Sequence, residues 1–540
     1  MGGEPEEVAQ AARPGAVPGA PPVPGAFGGL AMGWALLSSV AGGLALYAAF
    51  PPIGIWPLAA VGPALLVVAL AGRSLRASFC CGLAFGLALF VPLLSWLINV
   101  AWYAWSSLAV AAAVIFAILC VGQRLLLRLP CWPVFVAAWW VAAEALRDRW
   151  PFAFPWGRLA MSQSVAPDVR WVAVGGVPLL SFLVALVGAM TARAVLVALG
   201  SGGRIEWRWL AAAVAAVVTG GLVLAGGLLP VDPVGGAPTA VVAAIQGNVP
   251  RARNLPAQLN DTQVTQNHVA ATIKLAEQVK AGQRPAPALA VWPEDAVGVD
   301  PNDDPFLYDE VVTAMNALGR PILVGEVLQN PLRNAGQLWV PGVGPTTVYV
   351  KRQLVPFGEY IPFRGLISSF SSLPSLQPVN YTAGKLPVVF DVGKIRLGDV
   401  ICYEVGFDDL VRSEVNAGAN LLSVQSNDAD FEIDGQLGET AQQTAMARIR
   451  AIESDRALVY ASTTGESSII APDGALIAYS GVWRQAELDA RVPLVSYRTL
   501  ADRVGAWPEY LLVLLTALGL VWAGLLARPR RSSGDVAAGR

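Results

Sequence analysis

The chain reads as a membrane α-helical bundle of eight spans that carries one extracytoplasmic α/β domain. Three observations predict this. The 540 residues are 55% hydrophobic and only 14% charged, whereas about a quarter of a soluble domain is charged. The missing charge is concentrated, with no Asp, Glu, Lys or Arg between Arg13 and Arg73 or between Arg76 and Arg124. A long polar interval, 231–502, then separates the apolar stretches from one last apolar run. A net charge of −2 also lacks the basic surface that a nucleic-acid partner requires.

The elements follow in chain order. Residues 1–26 are rich in Gly, Pro and Ala, with acidic Glu4, Glu6 and Glu7 and no basic segment. They read as a disordered tail and not as a cleavable signal. Residues 27–230 hold seven apolar runs, at 30–50, 56–71, 77–97, 104–121, 132–146, 171–199 and 209–229. A helical crossing takes about 20 such residues, so the second and fifth runs are short for one. Residues 503–527 supply an eighth span at 508–527, and 528–540 form a basic tail.

Orientation follows from arginine placement, because positive charge beside spans marks the cytoplasmic side. Arg73 and Arg76, Arg124 and Arg128, and Arg204 and Arg208 fall in alternate connections; Arg528, Arg530 and Arg531 fall in the tail. They share one side only with eight spans and both termini in the cytoplasm, which puts 231–502 outside it. Arg147, Arg149, Arg158 and Arg170 break the rule between spans five and six. Two readings stay open there. One is contact with lipid headgroups. The other is a lipid-binding site shaped by Glu144 and Arg147, since charge at such depth is costly without a use.

Within 231–502, strands are expected at 240–246, 288–292, 321–326, 346–350, 387–390, 397–401, 421–425 and 458–461. Helices are expected at 255–280, 305–318, 407–417 and 440–456. Short β-rich runs separated by helices predict a layered α/β domain, and the interval is long enough to bury its own core.

Of the five cysteines, Cys80, Cys81, Cys120 and Cys131 lie in or beside spans, and only Cys402 falls in the α/β domain. It has no disulfide partner there, and an unpaired thiol on the oxidising side of a membrane needs a reason. It sits between a strand and a helix, at the kind of turn that exposes a side chain at a sheet's end. A nucleophile and a buried structural cysteine both fit that position. The single histidine, His268, lies among polar neighbours in a helix and reads as a solvated position. No Cys/His cluster has metal-ligand spacing, and no Gly-rich phosphate loop follows a strand. A base must then be a carboxylate or a lysine. Only five lysines occur; Lys351 ends the strand 346–350, and Glu294 follows the strand 288–292. Together with Cys402, both would lie at strand ends, on one rim of a sheet.

The segments Trp292-Pro293-Glu294, Lys351-x-x-Leu354-Val355-Pro356-Phe357-Gly358-Glu359-Tyr360 and Ile401-Cys402-Tyr403-Glu404 resemble the carbon–nitrogen hydrolase (nitrilase) superfamily. Gln246-Gly247-Asn248-Val249-Pro250 and Ser426-Asn427-Asp428-Ala429 look like two further stretches of it. With eight spans around that domain, most of the chain is similar to the superfamily's membrane-embedded branch, which acylates bacterial lipoproteins. The resemblance implies a nitrilase-like α-β-β-α sandwich on a membrane base, in the bacterial inner membrane. It implies a Glu-Lys-Cys trio at Glu294, Lys351 and Cys402, with no metal and no other cofactor. A phospholipid would be the acyl donor and a diacylglyceryl-modified lipoprotein the acceptor.

The implied chemistry suits these residue types. A free thiol has a pKa of about 8.5, so little of it is thiolate at neutral pH. Glu294 would take the thiol proton, and the charge of Lys351 would favour the thiolate. Cys402 would attack a phospholipid ester, release a lysophospholipid and keep the acyl chain as a thioester. Lys351 and a backbone N–H after Cys402 would hold the oxyanion, and Glu294 would protonate the leaving alcohol. The α-amine of the lipid-modified N-terminal cysteine would then attack the thioester. Glu359 and Glu404 match two acidic positions of the superfamily and would orient Lys351 and Glu294 or tune their charge, though Glu404 also suits a cap of the following helix. Tyr403 would hydrogen-bond near the site or simply pack. The apolar segment 361–370, with Phe363, reads as a lipid-facing lid or as core. Asn427 stands at the site's entrance as a substrate contact.

Two departures concern that entrance. Asp430-Phe431-Glu432 stands where the superfamily often has Trp-Phe-Gly, and 464–468 is also unlike many members. Two other readings compete. A membrane-anchored amidase would use the same trio with water as acceptor, although one anchor would then suffice. A transporter or receptor would leave Cys402 without a role and would call for polar residues inside spans that carry no charge.

Overall fold

The computed structural model describes residues 30–199, 205–229, 236–250, 257–369, 377–432 and 438–527. The expected tails 1–26 and 528–540 lie outside the described residues, as do Arg204, residues 255–256 and Phe370.

The apolar runs form α1 (Met32–Ala49), α2 (Leu58–Leu70), α3 (Leu75–Leu93), α4 (Trp102–Leu126), α5 (Trp132–Arg147), α6 (Val172–Leu199) and α7 (Ile205–Leu228). Six helices among the described residues are long and apolar enough to cross a membrane: α1, α3, α4, α6, α7 and the C-terminal helix Trp507–Leu526. The second and fifth runs give shorter helices, of 13 and 16 residues. At 1.5 Å per residue the first of these reaches about 20 Å, short of the ~30 Å hydrocarbon core. Small residues let the helices approach closely: a Cβ on Gly86 of α3 would lie 2.8 Å from the Ala113 backbone of α4. The α6 helix kinks at Gly175–Gly176, where Gly176 takes φ +72°. Arg124 Nε donates to the Arg73 carbonyl at 2.8 Å, so two arginine-bearing connections meet at one end of the bundle.

The polar interval builds β1 (Thr239–Gln246), α8 (Ala257–Lys280), β2 (Leu289–Val291), α9 (Pro305–Leu318), β3 (Ile322–Leu328), β4 (Arg333–Val340) and β5 (Gly344–Val350). Next come α10 (Arg364–Ile367), β6 (Val389–Val392), β7 (Ile395–Ile401), α11 (Asp408–Asn416), β8 (Leu421–Ser426), α12 (Gly438–Ser454) and β9 (Leu458–Ser462). The remaining elements are β10 (Ser468–Ile470), β11 (Leu476–Tyr479), β12 (Ala486–Pro493), α13 (Leu500–Val504) and α14 (Trp507–Leu526). Two six-stranded sheets result, ordered β12-β1-β2-β3-β4-β5 and β11-β10-β9-β8-β7-β6. Each has a parallel centre, β1-β2-β3 in one and β7-β8-β9 in the other.

Period-two alternation makes the layers. On β1, Val242 and Ala244 face the core between the sheets, while Ala243 and Ile245 meet Val269 and Leu275 of α8 and Val311 of α9. On the second sheet Leu421 and Val459 face inward, while Leu422 and Tyr460 pack outward with Met446 and Ile449 of α12. The result is an α-β-β-α sandwich. Its α11/α12 layer shares one apolar core with the helical bundle, through residues such as Phe90, Trp140 and Val184.

Ion pairs clamp this contact. Arg158, in the connection after α5, donates to both Asp408 oxygens at 2.8 and 2.9 Å and lies 3.2 Å from Asp148. Arg450 of α12 reaches Asp408 and Glu453, each at 2.6 Å. Burial alone would raise the Asp408 carboxyl, but Arg158 and Arg450 hold it far below the usual carboxylate range. The headgroup reading is therefore corrected for Arg158, which is 3% exposed and committed to carboxylates. Arg149 pairs with Glu509 of α14 at 2.5 Å. His268 is corrected too. It is fully buried, its ring 5.6 Å from that of Trp292 and its Nδ1 2.7 Å from the Val264 carbonyl. The polar neighbours misled, because Thr265 and Thr272 share its buried face.

Candidate active site

The three strand ends come together, but from two sheets and not on one rim of a single sheet as expected: β2 and β5 belong to the first sheet and β7 to the second. Glu294 follows β2, Lys351 follows β5, and Cys402 follows β7. Cys402 opens a 3-10 turn, Cys402–Gly406, with φ +51°. A non-glycine residue in the left-handed region is uncommon, and such backbone recurs at functional sites.

Lys351 is 1% exposed, and its Nζ donates to Glu294 Oε1 at 2.8 Å and to Glu359 Oε1 at 3.0 Å. Asn334 Nδ2 bridges the same two oxygens, at 2.6 and 3.0 Å. The other Glu294 oxygen accepts from the Asn427 backbone N–H at 2.9 Å, and Glu359 Oε2 accepts from the Val355 N–H at 2.7 Å. Burial alone would lower the Lys351 ammonium, but Glu294 and Glu359 together hold it well above its ordinary value. Burial pushes the Cys402 thiol well up, Glu294 adds to this, and Lys351 only partly opposes them. The expectation that Lys351 favours the thiolate therefore holds in sign, but burial and Glu294 outweigh it. The resting sulfur is a thiol, and it needs a base.

Glu404 does not reach the ammonium through a hydrogen bond. It accepts four hydrogen bonds elsewhere, from the Arg352 and Gln353 N–H groups at 2.7 and 2.9 Å, the Tyr349 hydroxyl at 2.8 Å and the Ile401 N–H at 2.8 Å. It thus caps the turn at Cys402 and ties it to the backbone just after Lys351. Tyr403 donates to the Ala153 carbonyl at 2.7 Å and stacks on Trp156, ring centres 5.4 Å apart. Its contacts lead into the bundle.

The outlying candidates are spread around this centre. Asn427 gives its Nδ2 to Asp295 at 3.2 Å and accepts from the Thr463 hydroxyl at 2.8 Å. Burial, with Glu294 beside it, pushes Asp295 up to about 7. Phe363 is 69% exposed; its ring centre lies 6.4 Å from that of Phe152, which meets Phe357 at 5.7 Å. Ile361 and Pro362 at the start of its segment are buried, whereas Phe363 and Leu366 are exposed apolar surface. Arg147 ends α5, 5.4 Å over the Phe90 ring, and its buried Nε and Nη2 make no hydrogen bond among the described residues. With Glu144 it lines a cavity of about 20 Å³.

Asn334 and Gln443 were not anticipated. Asn334 rides on β4, which the Pro341-Gly342-Val343-Gly344 turn between two apolar runs would have announced as a hairpin. Gln443 Nε2 lies 3.5 Å from the Cys402 sulfur. It comes from the polar helix α12, and nothing in the sequence marks it.

Comparison with known proteins covers both halves of the chain. Residues 42–190 match the apolipoprotein N-acyltransferase N-terminal domain, and residues 242–509 match the carbon–nitrogen hydrolase family. The apolipoprotein N-acyltransferase of Mycolicibacterium smegmatis is 36% identical over 89% of this chain and 83% of its own. That of Azotobacter vinelandii is 30% identical over 92% of this chain and 96% of its own, and that of Pseudomonas putida 28% identical over 91% and 97%. A solved Nesterenkonia amidase of the nitrilase superfamily covers 50% of this chain at 19% identity, with a TM-score of 0.36, too low for any comparison of positions. Identity of this extent, running through bundle and sandwich alike, means that the chain belongs to the apolipoprotein N-acyltransferase family.

Proposed function

We propose that this protein moves an acyl chain from a phospholipid, through a thioester on Cys402, to the free α-amino group of the lipid-modified N-terminal cysteine of bacterial lipoproteins. The observation that carries the reading is the Lys351–Glu294 contact of 2.8 Å beside the buried Cys402. Glu294 takes the thiol proton as the sulfur attacks the ester carbonyl, and returns it to the departing lysophospholipid oxygen. Lys351 and a backbone N–H after Cys402 hold the oxyanion, a donor type whose loss costs about 3 kcal/mol. Glu294 then accepts a proton from the attacking amine. Glu359 orients Lys351, Glu404 fixes the strand ends, and Tyr403 seats the turn on the bundle. Arg147 and Phe363 meet the lipid, and Asn427 borders the acyl site.

The same reading places the chain in the bacterial inner membrane with eight spans, both termini cytoplasmic and the sandwich outside. The shared end of the Arg73 and Arg124 connections supports it. So does the contact of the sandwich with the connection after α5, which an alternating topology puts at the other end. The α2 and α5 helices would complete their crossings with flanking residues. The domains proposed are tail 1–26, bundle 27–230, catalytic sandwich 231–502, last span 503–527 and tail 528–540.

The test incubates wild type and Cys402→Ser with phospholipid and a diacylated lipopeptide, and looks for the acyl-enzyme by mass spectrometry. Acylated peptide and a Cys402 thioester from wild type alone support the reading. Equal activity in the variant sinks it, and free fatty acid without acylated peptide turns it into a hydrolase.

A further inference from the structure

Gln443 of α12 is 1% exposed, and each of its polar atoms is engaged. Nε2 donates to the Cys402 sulfur at 3.5 Å and to Glu439 Oε1. Oε1 accepts from the Tyr460 hydroxyl at 3.0 Å and lies 3.2 Å from the Ser426 hydroxyl oxygen. In this arrangement the amide N–H, and not its oxygen, faces the sulfur. Glu439 is also 1% exposed. Burial, with Asp428 and Glu432 adding to it, holds its carboxyl well above the usual range. Asp428 is fixed in turn by the Ser426 and Ser462 hydroxyls, each at 2.6 Å.

We propose that Gln443 is a further catalytic residue, whose amide N–H steadies the charge on the Cys402 sulfur, and that Glu439 is a positioning residue acting through it. The inference rests on the thioester reading above. When the acceptor amine bonds to the thioester carbon, the C–S bond breaks and its electron pair goes to sulfur. The amine's proton passes to Glu294 and from there back to the thiolate. In that interval the sulfur is anionic in a buried site, Glu294 carries the proton, and the Lys351 ammonium is also held by Glu359. A neutral donor that approaches without adding charge is what such a sulfur needs, and hydrogen bonds to ionised groups are the strong ones.

The experiment uses the full chain in detergent and follows iodoacetamide alkylation of Cys402 against pH, read on the Cys402 peptide. It also follows acyl transfer from phospholipid to a diacylated lipopeptide. Gln443→Met keeps the volume and removes the donor. Its alkylation midpoint should rise by about one pH unit, and aminolysis should slow roughly tenfold, with acyl-enzyme accumulating. Gln443→His restores a donor and should recover most of both. Glu439→Ala should move the midpoint the same way by less, and Glu439→Gln should lie nearer wild type. An unmoved midpoint in Gln443→Met overturns the proposal, whether transfer is normal or impaired. So does Gln443→His behaving as Gln443→Met, which would mean that packing alone matters. Should Gln443→Met fail to fold, the Glu439 pair decides by the same midpoint. Acyl transfer by Cys402→Ser would instead sink the thioester itself, a separate result.

Discussion

Lys351 Nζ stands 2.8 Å from Glu294 Oε1 and 3.0 Å from Glu359 Oε1, so two carboxylates share one ammonium. That sharing decides the resting state of the sulfur. Burial and Glu294 raise the Cys402 thiol, and Lys351 pulls the other way. Glu294→Gln should therefore lower the pH at which Cys402 alkylates, while Lys351→Met should raise it. Acyl transfer should fall about 10³-fold in both, as for loss of a proton-transfer group or an oxyanion donor. Opposite shifts with a common loss of turnover identify the two roles; shifts of one sign would refute the assignment.

Glu404 makes a different prediction. Four donors converge on it, from Tyr349, Ile401, Arg352 and Gln353. Glu404→Ala leaves them buried without an acceptor, at about 1–3 kcal/mol for each that water cannot reach. A marked drop in thermal stability is expected, together with slower transfer, since Arg352 and Gln353 follow Lys351 directly. Glu404→Gln keeps one acceptor oxygen and should fall between. Thermal melts in detergent and an activity assay on the three proteins check the order; full stability with lost activity would make Glu404 a chemical group instead.

Phe363 bears on lipid access. Its exposed ring, with Phe152 and Phe357 behind it, offers apolar area outside the sandwich core. Burying a phenylalanine side chain is worth about 1.5–3 kcal/mol, so Phe363→Asp should raise the KM for phospholipid roughly tenfold or more and leave kcat little changed. A fall in kcat at unchanged KM would remove Phe363 from the lipid path.

The sequence discloses these parts unevenly. Position at strand ends made Glu294, Lys351 and Cys402 candidates, and the resemblance of their flanking segments to the superfamily joined them into one trio. The apolar helices were legible from charge depletion, but α2 and α5 show that composition does not fix helix length. Asn334 escaped because it lies at the polar start of β4, away from the turn that signals the hairpin, and β10 and β11 escaped although Pro472-Asp473-Gly474 signals the turn between them. Gln443 and the burial of His268 were not readable. Both depend on which face of a polar helix meets the sheet, and tertiary packing decides that. Arg158 and Asp408 lie 250 residues apart, a separation at which no local pattern reports a pair.

That last pair carries the strongest stability prediction. Asp408 accepts from Arg158 and Arg450, whose side chains are 4% and 0% exposed, and so joins the bundle to the sandwich. Asp408→Asn leaves two buried guanidinium groups without their shared carboxylate, and breaking a buried ion pair from one side costs about 3–5 kcal/mol. The pH dependence follows from the depressed Asp408 carboxyl. Its stabilisation is fully present above the unfolded carboxylate value of about 3.9 and is lost as pH falls toward the folded one. The gap in thermal stability between wild type and Asp408→Asn should then be present at neutral pH and narrow below about pH 4. Melts of both proteins in detergent at three pH values measure it. Equal melting temperatures near neutrality, or a gap that widens in acid, would mean that Asp408 does not hold the two halves together by its charge.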